Sequence, residues 1–204
     1  MVRWIAAVGW VTRTIMSKPI ELHFTWRNAC ILSLLMLLPP GTGPEGRAQT
    51  RSGAAFERDS VISAAREIMG SQTYCALVTV DSSGQPHVRT MNPFPPEKDM
   101  TVWIATNTRS RKVREIQHDP RVCLYYADHA QASGYVSITG KALLVDDMNE
   151  KLKRKRSYWE KAFPDWKYLV LIKVIPEKLE VLNYRRGMLN DTLTWSAPSI
   201  RFDN

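Results

Sequence analysis

From Tyr74 onward the chain runs in short β-rich segments separated by turn chemistry, and this alternation limits the folds open to it more than any other feature. YCALVTV (Tyr74 to Val80) is rich in β-branched and apolar residues, DSSGQ is a turn, and PHVRTMNPF resumes an extended segment, so Tyr74 to Phe94 predicts a hairpin. FPPEKD forms a second turn and MTVWIAT a third strand. RVCLYYA supplies a fourth strand, and SGYVSITGKALLVDD a long fifth with Gly140 at a bulge or bend. DWKYLVLIKVIPEKLEVLNY predicts a sixth strand, a turn near Pro176 to Lys178, and a short seventh.

Helical spacing is rarer. VISAAREIMG sets Val61, Ala64, Ala65 and Ile68 on one face, with Asp59 or Ser60 as N-cap and Gly70 as the stop. SRKVREIQHDP places Val113 and Ile116 three apart and terminates at Pro120, which suits a short helix. Asp147 to Phe163 (DMNEKLKRKRSYWEKAF) predicts a charged helix whose sparse apolar members put it on the outside. Six or seven mostly sequential strands with few helices indicate a mainly β fold, an antiparallel barrel with helices added. A doubly wound α/β fold is disfavoured, because one helix alone separates strands suitably and no Gly-rich turn follows the first strand.

The 204 residues suit one ordinary domain rather than two. Ala29 to Leu38 (ACILSLLMLL) has the length of a signal-peptide h-region, follows Lys18 and Arg27, and stops at Pro39 and Pro40. It is too short to span a bilayer, so no stable membrane insertion is expected. Gly46 and Ala48 present small residues for cleavage before Gln49; Met16 is an alternative start. The expected organisation is a signal peptide or leader over 1–48, a linker over 49–58, a domain over 59–184 and a C-terminal tail over 185–204. Export to the periplasm or beyond is one destination; a leader on a cytoplasmic protein is the other.

The leader also alters the charge argument. The whole chain carries +8, but the leader holds five basic and two acidic residues, leaving 23 against 18, a net +5. A general polyanion binder is less compelling at that value, and KLKRKR (Lys151 to Arg156), with Asp146, Asp147, Glu150 and Glu160 close by, is most simply a solvated face. No nucleic-acid partner is expected. Cys75 and Cys123 sit inside apolar runs and suit small buried hydrophobes. There is no G-x-S-x-G, H-E-x-x-H or C-x-x-C, and His87, His118 and His129 are each isolated, so no metal site and no catalytic side chain is assigned.

TNTRSRKVREI (Thr106 to Ile116) is different in kind. Thr106, Asn107, Thr108, Ser110, Arg111 and Lys112 occupy a strand exit and a helix entry, where free N–H groups and the helix dipole favour an anion. Hydroxyls, a guanidinium and an ammonium placed there suit a phosphate dianion, and Arg89, alone in an uncharged strand, could meet it across the sheet. Composition alone slightly favours the blander alternative, in which the cations simply solvate a helix.

The segment resembles the T-N-x-x-S-R-K phosphate-binding motif of the pyridoxamine 5′-phosphate oxidase-like, FMN-binding split-barrel family. HVRTM before it, DPRVCLYY after it and then VSITGK agree in order, from about Ala64 to Tyr184, and the ending EKLEVLNYRRG resembles the general stress protein 26-like branch. The resemblance implies a homodimer of split β-barrels of six to seven mostly antiparallel strands, with FMN at the interface. It implies that Arg89, Arg111 and Lys112 hold the FMN phosphate with Ser110 and Thr106. Thr90 and Met91 would present backbone along the flavin ring, Ala105 would line the site and Trp195 would cover it. Arg109 and Arg114 would be solvated neighbours. The chemistry implied is an oxidoreductase passing a hydride through flavin N5 to or from a small molecule; a non-catalytic flavin- or haem-binding module is the alternative. Phe94 and Tyr135 stand where the true oxidase has Lys and Gln, and the tail SAPSIRFDN lacks its R-x-H element, which argues against vitamin B6 oxidation.

Overall fold

The computed structural model describes residues 56–203, so the expected leader, its cleavage site and most of the linker lie outside the described residues. Helix α1 (Arg58–Ser71) comes first, followed by β1 (Cys75–Val80), β2 (Pro86–Met91), β3 (Val102–Asn107), α2 (Arg111–His118), β4 (Arg121–Ala127) and β5 (Gly134–Val145). Then come α3 (Met148–Lys153), α4 (Trp159–Ala162), β6 (Leu169–Asn183) and β7 (Ser199–Arg201).

The sheet order is β2-β1-β4-β5-β6-β3, antiparallel throughout, with β7 added to the far half of β6. Just after β2 the chain returns to the other end of this order: Pro93 bridges Ile104, and the Phe94 N–H donates to the Trp103 carbonyl at 2.8 Å. The sheet thus curls toward closure, and β2 and β3 meet at one end only. This is the antiparallel barrel expected from the alternation of strands and turns, and its partial closure is the split barrel that the resemblance implies.

Burial follows the strand period. Cys75, Leu77 and Thr79 of β1 face inward, as do Val122, Leu124 and Tyr126 of β4, while the residues between them lie half-buried on the outer face. Val61, Ala64, Ala65 and Ile68 of α1 join the same core, as their spacing predicted. The helix begins at Arg58, its N-cap is Glu57 without a side-chain bond, and it runs through Gly70, so neither expected cap residue acts as one.

Two larger expectations need correction. The sixth and short seventh strands are one continuous strand, β6, and the seventh strand comes from the tail. Pro176 marks a bulge instead of a turn: the β5–β6 register shifts between Thr139 and Gly140, opposite Pro176, where the ladder tolerates a residue without an N–H. Gly140 is needed there, since a Cβ would stand 2.0 Å from the Ile175 carbonyl oxygen.

The single charged helix is two short ones; it lies on the outside as expected, but Lys151, Arg154 and Trp159 turn inward from it. Trp159 is fully buried and meets Phe94, Phe163 and Trp166 edge-on. Arg154, 8% exposed, pairs with Glu97 and Glu150 and stacks over Trp103. Arg156 donates to the carbonyls of Asn92 and Pro93, which fastens the break between the helices to the loop after β2.

Candidate anion-binding site

The sequence TNTRS turns the chain from β3 into α2. The Asn107 side chain accepts the Arg109 N–H at 2.9 Å, and the Asn107 carbonyl accepts the Ser110 N–H at 3.0 Å. Ser110 is the N-cap of α2 but makes no side-chain capping bond; its hydroxyl lies 3.5 Å from that of Thr106. Lys112 Nζ donates to Thr106 Oγ1 at 3.1 Å. Two hydroxyls and an ammonium therefore converge at the strand exit.

α2 packs against β1 and β5, which carries its inner face to the underside of the β1–β2 hairpin. There Glu115, buried within α2, meets Arg89 of β2. Arg89 Nη2 lies 2.7 Å from Glu115 Oε2, and the same oxygen accepts from Thr79 of β1. Arg89 Nη1 donates to Thr79 and to the His87 carbonyl at 3.1 Å. Arg111, one turn before Glu115, brings Nε within 2.9 Å of Oε1 while its side chain stays 60% exposed. That approach lacks hydrogen-bond alignment, and Oε1 has no donor.

The electrostatics reflect three cations around one carboxylate. Burial pushes the Lys112 amine below its ordinary value, and Arg89 and Arg111 add to the shift more than Glu115 offsets it. Burial raises the Glu115 carboxyl, but the Thr79 hydroxyl, Arg89 and Arg111 outweigh it and hold the net value low. Asp81 does not neutralise the cations: it is engaged by Ser83, His87 and Gln85 in the hairpin turn and is itself held far below the usual carboxylate range by them. Arg89, Arg111, Lys112 and Glu115 together carry +2, which matches the −1.5 to −2 of a phosphate monoester, about two charges at pH 7. The residues present fit a phosphate group.

The remaining expected site residues are placed as follows. Thr90 is exposed on β2 opposite Ala76, Met91 is half-buried opposite Cys75, and Ala105 is half-buried on β3 opposite Leu171. Trp195 is 76% exposed in a tail turn organised by Asp191. No described contact joins it to the cation cluster of its own chain. Arg109 stacks on Tyr168 at 3.8 Å and Arg114 bonds the Arg109 carbonyl, so both stand beside the cluster.

Glu115 and Thr79 are the two members that sequence reasoning missed. The readable signal was the i, i+4 spacing of Arg111 and Glu115, which usually marks a solvated pair. A cavity of about 390 Å³ lies apart from the cluster, between α1 and the loop after β2, and is lined by Met69, Phe94, Pro96, Tyr126 and Arg156 among others. Among the described residues no group of His, Cys, Asp and Glu is arranged to hold a metal ion. Burial pushes the Cys75 thiol up to about 12, so it stays protonated at neutral pH.

Known proteins share this architecture. The solved general stress protein 26 of Bacillus anthracis str. Sterne is 24% identical, with a TM-score of 0.52 over 59% of this chain and 92% of that one. A related protein from Clostridium acetobutylicum is 16% identical, with a TM-score of 0.58 over 72% of this chain and 98% of that one. A haem-binding protein from Mycobacterium smegmatis gives 16% identity and a TM-score of 0.50 over 62% and 55% of the two chains. No curated protein matches. The family model described as pyridoxamine 5′-phosphate oxidase matches residues 62–183, from within α1 to the end of β6. Because that span covers more than half of the sequence and takes in both the curled sheet and the cation cluster, the chain belongs to the pyridoxamine 5′-phosphate oxidase family.

Proposed function

We propose that the protein is an FMN-binding flavoprotein that acts as an oxidoreductase on a small molecule. Flavin is the cofactor typical of the family. The observation that carries the reading is the +2 cluster, in which half-buried Lys112 has a hydroxyl partner and no ion-pair partner among the described residues. Arg89, Arg111 and Lys112 would hold the phosphate, with Thr106 and Ser110 adding hydroxyl contacts. Thr90, Met91 and Ala105 would line the ring; Trp195 is assigned to the flavin through the resemblance alone. Bound FMN supplies hydride transfer through N5, which leaves the protein to bind, orient and exclude water.

Two features support a substrate other than phosphorylated vitamin B6. Phe94, where the oxidase has a Lys, packs against Trp159 with the Arg156 guanidinium 4.0 Å from its ring centroid. Tyr135, where the oxidase has a Gln, stacks with Tyr125 at 5.5 Å. A homodimer is supported by the outer face of the sheet, where Val88, Val78 and Cys123 align across β2, β1 and β4 and Val88 is 64% exposed. Export through the leader is part of the same proposal. An intact mass corresponding to a chain starting at Gln49 is expected, and an unprocessed mass from an exporting host would remove it.

Purified protein should be yellow and release flavin on denaturation. Colourless protein that binds no added FMN would sink the reading, and a Soret band in place of flavin absorbance would replace it with haem binding. The double substitution Arg111→Ala, Lys112→Ala removes two charge-assisted donors of about 1.5–3 kcal/mol each, so titration should show FMN affinity severely weakened. Wild-type affinity in that variant would refute the cradle.

A further inference from the structure

Glu115 presents a puzzle if the corner exists to bind an anion, because a carboxylate there repels the ligand. Its side chain is 3% exposed and sits between two of the three cations. Every charged or titratable group facing it is identified: Arg89 and His87 from β2, Arg111 from its own helix, with the Lys112 amine near enough to feel it. His87 stands 4.0 Å from Oε1 and is itself bound to Asp81 at 2.8 Å.

The contacts show which parts of each cation Glu115 occupies. On Arg89 it takes Nη2, while Thr79 and backbone carbonyls take Nη1; no described partner takes Nε. On Arg111 it stands 2.9 Å from Nε as an ion pair without a hydrogen bond, and neither Nη group has a described partner. Glu115 thus bonds one edge of Arg89, holds Arg111 by charge alone, and leaves donors on both uncommitted. It also reduces the local charge from +3 to +2. A guanidinium in a strand and another on a helix would otherwise repel each other and Lys112.

We infer that Glu115 is a positioning residue that makes this corner selective for a phosphate dianion, by bonding Arg89 through Nη2, drawing Arg111 in by charge and matching the net charge to −2. The inference rests on the FMN reading above and deepens it. It makes a counter-intuitive demand: removing a negative charge from an anion site should weaken anion binding. A carboxylate acting only as bulk counter-charge gives the opposite result, since its loss would raise the attraction for phosphate.

The test compares FMN with riboflavin, which has the same ring and no phosphate, by fluorescence titration on wild type and Glu115→Gln. The expected result is FMN affinity lowered about 10-fold or more in Glu115→Gln, the loss appropriate to misplaced charge-assisted donors, with riboflavin affinity changed far less. Equal or tighter FMN binding by the variant, with wild type binding FMN normally, overturns this inference and leaves the cofactor reading standing. Equal losses for FMN and riboflavin overturn it too, because they show a general structural effect. Wild type that binds no FMN overturns both. If Glu115→Gln does not fold, Glu115→Asp keeps the charge and shortens the reach; a selective loss of FMN affinity is then expected, and wild-type affinity overturns the inference.

Discussion

Two basic runs, TNTRSRK and KLKRKR, look alike in the sequence and have opposite fates in the fold. In the second, Lys151 pairs with Asp146, Arg154 with Glu97 and Glu150, and Lys155 with Glu160, while Arg156 is bound by backbone carbonyls. Three of its five cations are thus paired with carboxylates, and its aromatic neighbours fill a small core of Trp103, Trp159, Leu169 and Leu171. In the first, one carboxylate, Glu115, pairs with Arg111 and with Arg89 of β2, and Lys112 has a hydroxyl where a further acid would be. Basic character thus discriminates poorly between structure and ligand binding. What neutralises the charge discriminates well.

The contrast can be broken experimentally, beginning with its largest expected effect. Trp159→Ala should lower stability by about 3–5 kcal/mol in urea unfolding, because a fully buried indole leaves a cavity at the centre of the second region; a loss under about 1 kcal/mol would show that this region is peripheral after all. Arg154→Ala should cost about 1–3 kcal/mol, less than a fully buried pair because Glu97 and Glu150 are partly solvated. Lys112→Met should do the reverse, raising stability by about 0.5–1 kcal/mol while weakening FMN binding, since its ammonium is desolvated beside two guanidinium groups. A destabilised Lys112→Met would erase the distinction between the two runs.

Acid unfolding sharpens the same point. Glu115 is held below the ordinary glutamate value of 4.5 in the folded state, so its stabilising contribution is fully present above that pH and is lost as pH falls through the lower folded value. Glu115→Gln should therefore flatten the acid limb of the stability curve, and an unchanged limb would show that the carboxylate is not coupled to folding. The smallest effect belongs to Lys155→Ala, whose partner Glu160 is exposed; no measurable change in melting temperature is expected.

Strand positions are most legible where alternate residues are buried, so CALVTV and RVCLYYA announce both their type and their inner face. The hairpin turn, Gly140 and α2 were legible for equally local reasons. Pro176 misled because proline in a strand normally ends it, and only the partner strand reveals the bulge that accommodates it. The break between α3 and α4 was hidden for a similar reason: what fixes it is Arg156 reaching carbonyls of Asn92 and Pro93, more than 60 residues away. At the candidate site, cations and hydroxyls could be recognised by type. Glu115 could not, because a carboxylate one turn from an arginine has the same spacing whether it faces solvent or the underside of a hairpin.

The length of β6 has a consequence for how the molecule opens. Over fifteen residues it pairs with β5 along most of its run, with β3 through Leu169 to Val174 and with β7 through Lys178 to Glu180. Its amides lie in the ladders that join β3, β5 and β7, so those paired with β3 and β5 should exchange hydrogen with solvent only when the whole barrel opens. The three-residue β7 can detach alone. The slow amides of β6 and the fast ones of β7 would then mark the upper and lower ends of the domain's ladder of opening free energies, read from a single shared strand.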